Sequence, residues 1–174
     1  MKRCKHCKEK FEQLHWNQKY CFKEECKQVW FAQAWKKEKA KRKKEMETLP
    51  EALERTQKVF NEFIRLRDHG QLCISCKHIP KKKNAGHFFS AFGHSNIRFD
   101  ELNVHLQCEP CNTNLSGNLI PYRKHLIEKI GLEAFEDLES RAYQIKKWTR
   151  NELSTIEREY KEKIKLIKII LNSK

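Results

Sequence analysis

Two cysteine pairs, Cys73-Ile74-Ser75-Cys76 and Cys108-Glu109-Pro110-Cys111, stand 31 residues apart in the chain. Each Cys-x2-Cys knuckle aims two thiolates at one point, and two knuckles at this distance make a tetrahedral S4 zinc site. Between them lie Ala85-Gly86-His87-Phe88 and Asn103-Val104-His105-Leu106-Gln107, and Asn112 follows the last cysteine directly. Residues 86–90 read as a short strand with glycine at its head, and residues 91–96 as a turn. The second knuckle begins a helix around residues 109–115, which Ser116-Gly117-Asn118 ends. A zinc-stapled strand, loop and helix of this kind would hold one imidazole and one divalent metal around a phosphate.

The other four cysteines form Cys4-x2-Cys7-x13-Cys21-x4-Cys26, a second set with metal spacing. Phe11, Trp16, Tyr20 and Phe22 fall among them, which predicts a zinc finger with a small aromatic core. Both sets are all-sulfur, so both zinc ions are structural, with no position left for substrate. His6 and His15 read as surplus surface histidines. Cysteines used this way belong in a reducing compartment. No secretory apolar run follows Met1-Lys2-Arg3, and the apolar stretch 164–171 is broken by lysines and too short to span a membrane. A cytoplasmic protein without a membrane partner is expected.

The formal net charge is +14 and the pI about 9.5. Such an excess most often meets phosphate backbones, through counterion release. Its densest block runs from Lys36 to Lys44, with Lys36, Lys37, Lys39, Lys41, Arg42, Lys43 and Lys44 on a predicted helix. Lys81, Lys82 and Lys83 form a second block, placed on a loop. Arg98 and Arg123 could clamp phosphates, although Arg98 could equally pair with Asp100 or Glu101. Hydrophobic residues make up 39% of the chain, a thin supply for one large core that zinc staples would supplement.

Helices account for most of the remainder. Thr48 and Glu51 form a capping box for a helix carrying Leu53, Phe60, Phe63 and Ile64, which stops near Gly70. Pro121 opens a helix ending at Gly131. Residues 132–148 read as another, with Phe135, Leu138, Ala142 and Ile145 on one face. Thr149 and Glu152 make a second capping box, starting a helix whose seam is Leu153, Ile156, Tyr160, Ile164, Ile167 and Leu171. That seam either packs on its own domain or pairs with a second chain. The predicted fold is α+β and mostly helical. Its parts are a four-cysteine finger (1–30), a basic helical linker with a packing helix (31–70), a zinc-bound core (71–131) and C-terminal helices for packing or dimerisation (132–174).

Residues 71–131 resemble the NinG/Rap family of lambdoid phage recombination proteins. The matching runs are Cys-Ile-Ser-Cys (73–76), Ala-Gly-His-Phe (85–88), Arg-Phe-Asp-Glu-x-Asn-Val-His-x-Gln-Cys-x-x-Cys-Asn (98–112), Leu-Ser-Gly-Asn (115–118) and Tyr-Arg (122–123). The N-terminal finger and the C-terminal helices are similar too, so the resemblance covers most of the chain. It implies a structure-specific endonuclease acting on branched DNA such as D-loops and Holliday junctions. The layout is also similar to HNH (ββα-metal) nucleases. In that frame His87 is the general base, since a neutral imidazole suits the task at cellular pH. Asn103 ties the loop down and holds the His87 strand. Asn112 offers a hard oxygen to catalytic Mg2+ or Mn2+, and His105 is a second metal ligand or a phosphate contact.

One departure matters. Many HNH nucleases place an acidic metal ligand just before the base, where this chain has Gly86; His105, Asn84 and Asp100 are the options for a replacement. Expected partners are branched DNA, a second copy through the C-terminal helices, and phage or host recombination proteins in the host cytoplasm. The rival reading is a non-catalytic zinc-dependent DNA- or RNA-binding module.

Overall fold

Two of the three Cys-x2-Cys knuckles, Cys4–Cys7 and Cys73–Cys76, turn on a lysine in the left-handed region, Lys8 at φ 64° and Lys77 at φ 57°. The lysine N–H reaches back to the first cysteine's carbonyl, at 3.1 Å for Lys8 to Cys4 and 2.9 Å for Lys77 to Cys73. The first cysteine's N–H then bonds the carbonyl five residues on, Glu9 in one knuckle and His78 in the other. The same loop is thus built twice. The computed structural model describes residues 1–172, without the side chains of residues 43–45. The chain divides into two units, Met1–Thr48 and Leu49–Lys174.

In the first unit, β1 (Lys2–Arg3) pairs antiparallel with β2 (Lys10–Phe11), and α1 (Glu24–Glu45) follows. Cys26 lies in the first turn of α1, so the basic helix grows out of the finger and is not a separate linker. The boundary falls after Thr48 rather than at residue 30. Phe11 and Tyr20 pack against the cysteines. The other two aromatics of the expected core do not: Trp16 is 90% exposed and Phe22 55% exposed.

The second unit is built around one hairpin, β3 (Lys83–His87) against β4 (Val104–Cys108), with His87 opposite Val104 and Gly86 opposite His105. The strand therefore ends at His87 instead of running from residue 86 to 90, and Lys83 is its first residue rather than part of the loop. Alternation along the strands puts Ala85, His87, Val104 and Leu106 on one face and Gly86, His105 and Gln107 on the other. The first face meets α2 (Leu49–Arg67) and α5 (Arg150–Asn172), in a core of Phe60, Phe63, Ile64, Val104, Leu153, Tyr160 and Ile164. The second meets α3 (Leu119–Ile130) and α4 (Leu132–Ala142), whose Tyr122, Leu126, Phe135 and Leu138 surround Ile74 and Ile97. The outer edge of β4 is closed by side chains at the end of α2 and just past it. Asp68 accepts the Leu106 N–H at 2.9 Å, and Arg67 donates to the Val104 carbonyl at 2.8 Å.

Most of the seam of α5 packs inside the unit, and Leu171 at its end is 37% exposed. Leu153, Tyr160 and Ile164 are buried, and Tyr160 stands edge-on to Phe60 with centroids 4.9 Å apart. Of the two readings of that helix, folding back on its own domain is the one observed. The capping box at its start forms, with Thr149 N–H donating to Glu152 at 2.9 Å and Glu152 N–H to the Thr149 hydroxyl at 3.3 Å. The helix before it is shorter than its pattern: α4 stops at Ala142 and Ile145 is 90% exposed. His94 and Asn96 take the carbonyls of Ala142 and Arg141 at 2.9 and 3.1 Å, which ends the helix from outside. Among the described residues no helix is long and apolar enough to cross a membrane.

Candidate active site and metal centres

The cysteines converge as two sets of four. In each set, Cys4, Cys7, Cys21 and Cys26, or Cys73, Cys76, Cys108 and Cys111, all sulfurs lie within 4.8 Å of one another. A zinc tetrahedron with bonds of about 2.3 Å has edges of about 3.8 Å. The Cys7–Cys21 and Cys76–Cys108 sulfurs are 3.7 Å apart. Both clusters fit zinc. Burial opposes ionisation of Cys4, but the N–H groups of Cys21, His6 and Cys7 outweigh it and bring the thiol down to about 6. Cys73 is lowered in the same way: burial opposes, and the backbone of Cys76, Cys108 and Ser75 prevails. The repeated knuckle thus prepares one thiolate per cluster to receive metal.

At the opposite end of the hairpin from the zinc knuckles, His87 is half-buried and its Nε2–H donates to the Arg98 carbonyl at 3.0 Å. That bond assigns the proton to Nε2 and leaves the Nδ1 lone pair free of it. Burial lowers the His87 pKa; the bond to Arg98 works against this and the Arg98 charge works with it. The ring is therefore a neutral imidazole at pH 7. Arg98 itself is half-buried, and its Nε is shut away from water without a partner among the described residues. The carboxylates that could have paired with it are engaged elsewhere, Asp100 with Arg141 and Glu101 with Lys163.

Asn103 is fully buried and spends its carboxamide on the loop after His87. Its oxygen accepts the Phe89 N–H at 2.8 Å, and its nitrogen donates to the carbonyls of Phe89 and Ile97 at 2.9 and 3.2 Å. With the Phe88 N–H on the Asn103 carbonyl at 2.9 Å, these bonds carry the hairpin one residue past His87 and fix the loop over it. Asn112 is half-buried in a π-helical turn, Pro110–Asn114, between zinc ligand Cys111 and the left-handed residues Ser116, Gly117 and Asn118.

His105 stands apart from this group. It lies on the opposite sheet face from His87, and both ring nitrogens are occupied. Nε2–H donates to the Leu102 carbonyl at 3.1 Å, and Nδ1 accepts from Arg67 at 3.1 Å. Burial, then the charges of Lys129 and Arg67, push its pKa down to about 3, against the attraction of Asp68. A ring in that state has no lone pair for a metal, which removes His105 from the expected ligand set. Asp100 is likewise committed to Arg141 and to the Leu102 N–H. Asn84 sits in the strand opposite Gln107. Among the described residues only the two cysteine sets bring three or more His, Cys, Asp or Glu ligands together. The side chains beside His87 therefore do not make a carboxylate or histidine cage for Mg2+ or Mn2+.

Gln107, unremarked in the sequence, explains the glycine. Its Nε2 donates to the Ser75 hydroxyl at 2.7 Å and to the Gly117 carbonyl, leaving Oε1 buried and unpaired over Gly86. A glycine inside a strand commonly marks such a close approach, and that was the available signal.

The basic residues lie where water reaches them. Lys36, Lys37, Lys39, Lys41 and Arg42 are exposed along α1, with Arg42 on Glu38 at 3.1 Å. The side chains of Lys43 and Lys44 lie outside the described residues. Lys81, Lys82 and Lys83 are exposed, and Lys82 pairs with Glu109. Arg123 rests its guanidinium 4.9 Å above the Phe135 ring.

Fold and clusters define a mostly helical α+β protein with two cysteine sets that could hold zinc and a strand-end histidine bonded to the Arg98 carbonyl. A sequence model of the family described as Bacteriophage Lambda NinG protein matches residues 1–169, and the chain belongs to that family. It is 41% identical over 114 residues to Protein ninG of Salmonella phage P22 and 40% identical over the same length to that of Escherichia phage lambda. These matches take in 65% of this chain and 56% and 55% of the relatives, so the chain spans little more than half of their length. No solved structure matches it.

Proposed function

We propose that the second unit is a structure-specific endonuclease that hydrolyses phosphodiester bonds in branched DNA. The observation carrying this reading is a neutral His87 whose Nε2–H is held by the Arg98 carbonyl, on an arginine whose Nε is buried without a partner among the described residues. Hydrolysis of a phosphodiester needs a base to take a proton from water and a positive group facing the charge that builds on the phosphate. His87 Nδ1 supplies the first, its tautomer set by the Arg98 carbonyl. Arg98 supplies the second, since its half-buried guanidinium has an Nε–H without a partner among the described residues to offer an anion. Asn103 holds the base in register through the loop. Asn112, beside Cys111, would offer an oxygen to a divalent ion, with the substrate phosphate and water completing any such shell.

The net charge of +14 supports a polyanionic substrate. The test incubates zinc-loaded protein with a four-way junction and a matched duplex, in Mg2+, Mn2+ or EDTA. Wild type is expected to cut the junction in preference to the duplex. His87→Ala should bind it equally well but cut it roughly 10²–10⁴-fold more slowly. Tight junction binding without cutting under any divalent ion would make the chain a non-catalytic zinc-dependent binding module. Cutting by His87→Ala at the wild-type rate would remove this site from the chemistry.

A further inference from the structure

The first unit has an aromatic and basic surface that the cleavage site does not use. Along α1, Lys27, Trp30, Phe31, Ala34 and Lys37 fall three and four apart, on one face. A stripe of that spacing normally packs into a core. Here Trp30 is 51% and Phe31 60% exposed. The two rings touch, with centroids 5.0 Å apart and planes at 41°. Opposite them Phe22 is also open, and a cavity of about 700 Å3 lies between the helix and residues 14–22 of the finger. Its walls are tied together by the Tyr20 hydroxyl, which donates to Gln33 of α1 at 2.6 Å, and the finger wall is braced by the Leu14 N–H on Gln18 at 2.9 Å. Lys5, Lys19, Lys27 and Lys37 line it, and among the described residues no carboxylate does.

We propose that this cavity captures unpaired bases of a single DNA strand, stacked on Trp30, Phe31 and Phe22, with the lysines on the flanking phosphates. Three apolar rings would suit a protein partner as well, but apart from Lys27, which pairs with Glu24 at 3.2 Å, the ammonium groups around them would then lose water without gaining counter-charge. A single strand meets both demands, because it carries a phosphate for each flat base. A duplex keeps the faces of its bases stacked away and could use only the lysines. The inference builds on the branched-DNA reading, since branch points expose such strands, but it does not depend on cleavage.

The test uses the full zinc-loaded chain and three labelled probes followed by anisotropy: a short oligothymidine, an abasic strand of equal length, and a duplex. The double variant Trp30→Leu/Phe31→Leu keeps the helix face apolar and removes the rings. It should weaken oligothymidine binding by at least about tenfold, in line with measured base–aromatic stacking, and change the abasic strand and the duplex by less than about threefold. Equal losses on all three probes, or none, would overturn the proposal. So would a variant that binds oligothymidine normally but sediments as a smaller species, which would assign the face to a second protein surface. Should the variant lose its zinc, wild-type tryptophan fluorescence decides instead: quenching by oligothymidine and not by the abasic strand is expected, and equal quenching by both refutes stacking. His87→Ala should leave all these affinities unchanged, so a failure of the cleavage reading and a failure of this one give different results.

Discussion

The carboxamide oxygen of Gln107 lies 2.0 Å from the point where a β-carbon on Gly86 would stand. The Gln107 Cδ and Cβ follow at 2.9 and 3.0 Å, so no rotation of the amide alone would make room. Gln107 is fully buried, with its nitrogen committed to Ser75 and Gly117. The residue before the proposed base is therefore glycine for a packing reason, and an acidic side chain could not enter without evicting Gln107.

Gly86→Ala should destabilise the second unit by about 1–3 kcal/mol, as overpacking of a tight interior does. In a Gln107→Ala background the same substitution should cost much less. Urea unfolding of the four proteins gives the coupling directly; additive effects would show that the two side chains do not compete for that space.

Zinc removal should act on the two units one at a time. Wild type is expected to hold two zinc ions per chain by elemental analysis, because two four-sulfur clusters converge. Cys21→Ser should lose one ion and the amide dispersion of residues 1–48 while the second unit keeps its NMR spectrum. Cys108→Ser should lose the other ion and unfold the second unit, since zinc binding is itself a large folding term. Loss of both spectra from either variant would mean that the units are not independent.

His105 should stay neutral well into acid. Its folded pKa of about 3 lies below an unfolded value near 6.5. The unfolded chain then binds the extra proton first. The stability linked to this ring is fully present above about pH 6.5 and drains away as pH falls toward 3. The His105 ring shifts recorded between pH 8 and 5 should stay fixed. A His105 shift centred near 6.5 would mean that the Arg67 and Leu102 bonds do not hold it.

The features legible in the sequence are those fixed by local chemistry. Cysteine spacing sets both clusters because a knuckle needs only its own few residues. The Thr149–Glu152 box shows because a cap is closed within one turn. The end of α4 is not legible, because Ala142, Tyr143 and Ile145 continue a helical pattern that the loop then overrides. Lys146 N–H goes to the Ser95 hydroxyl at 3.0 Å, and the Trp148 indole to the Ser95 carbonyl at 3.0 Å. The exposure of Trp16, Phe22 and Trp30 is equally hidden, since aromatic residues near cysteines look like core until a surface is drawn around them. At the candidate site, the type and spacing of His87, Asn103 and Asn112 could be read in advance. The occupied ring of His105 depends on Arg67, which reaches the hairpin only after folding, and the obstruction at Gly86 on Gln107 of β4, which stands over it only once the two strands pair.

Arg98 separates stability from chemistry most sharply. Its Nε is buried without a partner, and burial lowers the guanidinium's pKa. An unpaired buried polar group costs about 1–3 kcal/mol, more for a charged one. Arg98→Leu should therefore leave the fold no less stable, and raise its urea midpoint if the apolar side chain fills the same space. Cleavage should fall by about 10²-fold or more, because the phosphate would lose the cation facing it. Arg98→Lys should recover only part of the rate, since an ammonium cannot reproduce the planar fork of donors. The two readings to compare are the unfolding midpoint and the single-turnover rate on a four-way junction. If Arg98→Leu is both less stable and as fast as wild type, the side chain is part of the scaffold and the phosphate is held elsewhere. If stability holds while the rate collapses, the unpaired cation is kept for the substrate at the expense of the fold.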